Sequence, residues 1–69
     1  MNDLGIVSTI MNTRFVIAEV DLQATLAEMQ LAIESTLRTH GEPLRWAVTS
    51  VNAKNQKAQI EAIVITLHD

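Results

Sequence analysis

The sequence predicts an α+β domain: one helix packed on an antiparallel sheet of three or four strands, ordered (β)βαββ, in two layers. Three observations carry that prediction. Residues 21–40, DLQATLAEMQLAIESTLRTH, repeat apolar side chains at helical spacing. Residues 14–20, RFVIAEV, alternate as a strand does. The closing stretch LRWAVTSVNAKNQKAQIEAIVITLHD runs into a polar tip and back out, as a β-hairpin does.

The earliest residues give the weakest pattern. GIVSTI reads as a short extra strand joined through MNTR, or as a flexible arm, so residues 1–13 carry both readings within a single 1–69 domain. In RFVIAEV, Phe15 and Ile17 fall on one side and Val16, Ala18 and Val20 on the other.

The helix follows. Leu22, Leu26, Met29, Ile33 and Leu37 recur at intervals of four, three, four and four, which places them in one narrow stripe. Asp21 is the expected N-cap, and Gly41 stands where a left-handed residue ends a helix. Pro43 blocks continuation, and Glu34 with Arg38 forms an i,i+4 pair in the favourable order. A second stripe of Ala24, Ala27, Leu31 and Ser35 reads as a solvated face of good helix formers, with a helix–helix contact as the alternative.

Strands over residues 45–53 and 57–67 complete the pattern. A two-residue turn at Asn55-Gln56 sets Asn52 against Gln59, Val48 against Ile63 and Trp46 against Ile65. A four-residue loop keeps the same parity. One face is then small and apolar: Ala47, Val51, Ala53, Ala58, Ile60, Ala62 and Val64. The other is polar near the turn and carries Trp46, Val48, Ile63, Ile65 and Leu67 away from it. Phe15 and Ile17 are expected to join this second patch, bringing both aromatics to one face.

AIVI, residues 62–65, is apolar at every position, so both faces of its strand need cover. One helix covers one face. The remaining apolar area exceeds what a soluble monomer ordinarily exposes. A second copy is the favoured cover, because closed homodimers are the commonest assembly. The expected interface is Phe15, Ile17, Trp46, Val48, Ile63 and Ile65. The alternatives are the N-terminal segment folding over the patch, or a ligand or different protein. EAIVITL is also aggregation-prone at an open edge, which favours an interior strand or a paired dimer edge.

Size points the same way. A chain of 69 residues buries roughly 4,000 Å² of apolar surface, contributing on the order of 100 kcal/mol, and ordering it costs about the same. Small domains add a disulfide, a metal or another subunit. The chain has no cysteine, so neither a disulfide nor a thiolate metal site is open to it.

A net charge of −3 with five scattered basic residues argues against a nucleic-acid surface. No apolar run approaches the roughly 20 residues of a membrane span, and the N-terminus does not read as a secretory signal. A cytoplasmic setting is expected.

Chemical motifs are scarce. His40-Gly41-Glu42 matches the short H-x-E element of zinc deaminases, but the P-C-x-x-C run is missing. A histidine favoured by the helix C-terminal dipole is the plainer reading. His68 and Asp69 sit at a terminus expected to fray. Two glycines build no Walker loop or dinucleotide turn, and no nucleophile elbow is present. Glu61 borders the apolar patch and reads as a solvated sheet-face carboxylate. The expectation is a non-enzymatic interaction or regulatory module, with no metal.

Trp46 is the best ligand candidate, a flat platform with one donor. Strand–helix–strand–strand order with Leu44-Arg45-Trp46 opening the strand after the helix resembles the dodecins, small flavin-binding oligomers. That resemblance covers residues 14–67 in topology and three residues in identity. It implies Trp46 as the residue stacking on a flavin, with Arg45 beside it. The Gly/Ser/Thr-rich segment that dodecins carry before the helix is absent here, where EVDLQ enters directly, and the hairpin tip differs. GEPLRWAVTSVNA is similar in style to short bacterial proteins.

Overall fold

The computed structural model describes residues 11–67. They form β1 (Met11–Asp21), α1 (Leu26–Arg38), β2 (Glu42–Asn52) and β3 (Lys57–Leu67). The sheet is antiparallel with order β1-β3-β2, so the AIVI strand is central and, among the described residues, both neighbours are edges. The expected α+β class with one helix and three strands is observed. The extra leading strand falls in residues 1–10, outside the described residues.

α1 is shorter than its periodicity predicts. Asp21 is not its cap: it ends β1, opposite Lys57, and the two side chains form an ion pair. Leu22 N–H then donates to the Gln56 carbonyl at 3.0 Å, extending the attachment to the hairpin. Thr25 caps instead, its hydroxyl accepting from Glu28 N–H at 3.1 Å. Thr25-Leu26-Ala27-Glu28 has the Thr-x-x-Glu spacing of a capping box. The long-range pairing of Asp21 outweighs the local capping preference.

The helix ends as expected near Gly41. His40 and Gly41 N–H both donate to the Leu37 carbonyl, at 2.8 and 3.2 Å. Gly41 has φ +153°, and a Cβ there would stand 2.6 Å from the Ile65 carbonyl oxygen. Only glycine fits this close passage of the chain beside β3.

β2 and β3 join through residues 53–56, with Asn52 opposite Lys57. Asn55 N–H donates to Asn52 Oδ1 at 3.1 Å, and Gln56 takes a positive φ of 58°. The loop thus has four residues rather than two, because Asn55-Gln56 is poorly suited to a tight primed turn.

β2 is doubly interrupted. Val48 and Ser50 lie opposite consecutive residues Ile60 and Gln59, so Thr49 is extra. Pro43 and Arg45 lie opposite Val64 and Ile63, so Leu44 is extra. Each bulge reverses the face on which the following residues lie. Trp46 is therefore opposite Ala62, not Ile65, and Val48 is opposite Ile60, not Ile63. Ala47 is opposite Glu61 and leaves the small apolar face.

The core lies between α1 and one sheet face. Val16, Val20, Ala58, Ile60, Ala62 and Val64 meet Ile33 and Leu37, and all eight are buried. Ala18, Leu22, Met29 and Trp46 pack around them, partly covered. Small residues on β3 let the helix approach, as Ala58 and Ala62 show at 0% and 2% exposure. Leu26, though on the predicted stripe, is 84% exposed, beyond the covered part of the sheet.

Candidate functional site

The apolar part of the face turned away from α1 is built from three rows of the register. Thr13, Ile65 and Glu42 form one; Phe15, Ile63 and Arg45 the next; Ile17, Glu61 and Ala47 the third. Phe15 and Ile17 are 59% and 60% exposed, while Ile63 and Ile65 are half-buried on the central strand. The result is an apolar patch with Arg45, Glu42 and Glu61 around it.

Toward the hairpin tip this face turns polar. Glu19, Gln59 and Ser50 form a row, and Asp21, Lys57 and Asn52 close it. Gln59 Nε2 donates to Thr49 Oγ1 at 3.2 Å and to Glu61 Oε2 at 3.5 Å. The first bond ties the bulge residue Thr49 to the central strand, and the second holds Gln59 to Glu61 along that strand. Lys57 is held charged above its ordinary range, first by its hydrogen bond to Asp21, then by the charges of Asp21 and Glu19.

The helix side holds a second, separate apolar surface. α1 leaves the N-terminal part of the groove beside β2 open. Leu26, Met29, Gln30, Ile33, Trp46 and Val48 line a hollow of about 270 Å³ there. Val48, on its β2 side, is exposed, as is Val51, which lines a neighbouring hollow with Val48, Leu26 and Met29.

The six residues expected to share one patch are therefore divided. Phe15, Ile17, Ile63 and Ile65 lie together on the open face. Trp46 and Val48 lie on the helix side, with Trp46 packed against the core. The two aromatics occupy opposite faces. Arg45, opposite Ile63, is on the open face and so is not beside Trp46 in one pocket. The dividing signal is present in the chain: Val48 and Val51 stand three apart, which no regular strand can put on one face.

A further hollow, about 610 Å³, opens at the helix C-terminus among Arg38, Thr39, His40, Gly41, Glu42, Ile65 and Thr66. It contains the His40-Gly41-Glu42 element. Among the described residues, no group of three or more His, Cys, Asp or Glu side chains is placed to hold a metal. No helix among them is long and apolar enough to cross a membrane.

The fold and its surfaces define a small βαββ domain with an apolar sheet face that the described residues leave open. The chain belongs to the family described as a domain of unknown function (DUF8621), which matches residues 14–66. That span runs from within β1 almost to the end of β3, so it takes in the helix, the hairpin and both bulges. No curated protein matches the chain, and no solved structure matches it.

Proposed function

We propose that the chain is a non-enzymatic, cytoplasmic, two-layer α+β module that works by associating with itself through the open sheet face. The observation that carries this reading is the exposure of Phe15 and Ile17 on the open face, with Phe15 directly opposite Ile63, Ile17 opposite Glu61 in the next row, and Ile65 one row away on the other side. Large apolar side chains clustered in this way mark an interaction surface more often than scattered ones do. The small core supports the same reading, since eight buried residues among those described leave little stability to spare. Ile17→Asp is expected to give a monomer by light scattering, while Asn52→Asp, in the polar half of the same face, leaves the dimer intact. A dimer of unchanged affinity in Ile17→Asp contradicts the proposal.

A second reading rests on Trp46. The helix-side groove has an indole wall, an apolar lining and the element order that resembles the dodecins. In that reading the chain is a flavin- or small-ligand-binding oligomer with Trp46 as the stacking platform. Arg45 lies on the other face and drops out of it. Visible absorbance of the purified protein and quenching of Trp46 by added flavin test this reading. A colourless protein whose fluorescence is indifferent to flavin rejects it.

A further inference from the structure

We infer that β1 is a self-pairing edge: two copies join antiparallel along it, about a two-fold axis at Val16, into one six-stranded sheet. The inference rests on the self-association proposed above and places its contact at the β1 end of the open face, where Phe15 and Ile17 meet the second copy, while Ile63 and Ile65 on the central strand stay on the face of the joined sheet.

The two edges of the sheet are not equivalent. β2 carries Pro43 and the bulges at Leu44 and Thr49. Prolines and bulges are the devices that keep an edge from pairing. β1 has neither, and its register with β3 runs unbroken over all 11 residues. Among the described residues no further strand lies beyond it. A β1-to-β2 contact between copies would also be heterologous and open-ended, whereas β1 to β1 closes.

The β1 sequence then selects its own register. Facing residues must lie on the same side of the sheet, so allowed registers differ in steps of two. Centring on Val16, the midpoint of Met11–Asp21, pairs the whole strand. It sets Phe15 against Ile17 of the second copy, twice, and Val16 against Val16. Arg14 meets Ala18, and Glu19 meets Thr13, so no like charges face each other. Centring on Ile17 instead sets Phe15 against Glu19. Centring on Phe15 sets Thr13 against Ile17 and shortens the overlap. The register of greatest length is thus also the one of best side-chain match. It gives Phe15 and Ile17, the exposed large apolar residues of the open face, a cross-strand neighbour each.

The test uses the full chain, which has no native cysteine to compete with a label. Thr13→Cys and Glu19→Cys, both exposed on β1, are spin-labelled and the label-to-label distance in the assembly is measured. Each position lies three residues from Val16, so both pairs should give the same backbone separation, about 20 Å at the strand rise of about 3.4 Å per residue. Backbone-to-backbone NOEs between β1 strands, in a mixed-label sample, should accompany it. Unequal distances, or intermolecular NOEs confined to side chains, overturn the edge pairing while leaving self-association standing. Absence of any dipolar coupling in an otherwise folded protein overturns both.

Discussion

Replacing Phe15 by alanine separates the stability of the chain from its association. Phe15 is 59% exposed in the single chain, so truncation removes little that the fold itself uses. The exposed part amounts to roughly 120 Å², which at about 25 cal/mol/Å² is about 3 kcal/mol per protomer when fully covered. Half coverage leaves about 1.5 kcal/mol per protomer and about 3 kcal/mol per dimer. A loss of that size weakens the dissociation constant on the order of a hundred-fold. The contrast is Ile60→Ala, at 0% exposure, where a core cavity should cost about 2–5 kcal/mol of folding stability. The assay is a dilution series by sedimentation velocity, paired with urea unfolding followed by circular dichroism. Phe15→Ala should shift dissociation to higher concentration with the monomer's unfolding midpoint preserved. An unchanged dissociation constant would refute the reasoning that the open face is what the partner copy covers.

Three other perturbations test particular parts of the structure. Trp46→Ala should lower folding stability by about 2 kcal/mol, because the half-buried indole packs on the core from the helix side, and urea unfolding measures it. Gly41→Ala should cost at least about 1 kcal/mol, since φ +153° and the Ile65 carbonyl oxygen 2.6 Å from the new Cβ act together, and thermal unfolding reads the loss. The Lys57 ammonium should titrate above 10.5 by NMR and return toward that value in Asp21→Asn. Because the folded-state value is raised, the pair's contribution is complete below about pH 10.5 and fades as pH rises through the folded value.

Much of the architecture is legible in the amino-acid sequence. Ile33 and Leu37 stood on the periodic stripe and are the buried heart of the helix. The all-apolar AIVI run demanded two covered faces, and it forms the central strand. Two features escaped, for different reasons. The helix start depended on whether Asp21 would cap or pair, and its partner Lys57 is 36 residues away. Local preference cannot weigh a contact that only the hairpin creates. The side-chain faces of β2 depended on Thr49 and Leu44. Strict alternation has no place for an extra residue, so one bulge moved Trp46 and Val48 to the helix side. The spacing of Val48 and Val51 was the available clue. The open face consequently contains four of the six residues first grouped there, all from β1 and β3, whose mutual register has no bulge.

The division has a chemical consequence. With Trp46 against the helix and Phe15 on the open face, assembly and ligand binding would use different surfaces. Trp46 emission should therefore stay constant as the assembly is diluted into monomers. A change in the Phe15 patch should leave any ligand affinity of the Trp46 groove unmoved.

The most direct test of the account is the solution mass of the wild-type chain across a wide concentration range, by sedimentation velocity. The account predicts a species of at least twice the 7.6 kDa chain mass, dissociating on dilution and weakened by Phe15→Ala. A single 7.6 kDa species at every concentration would contradict it.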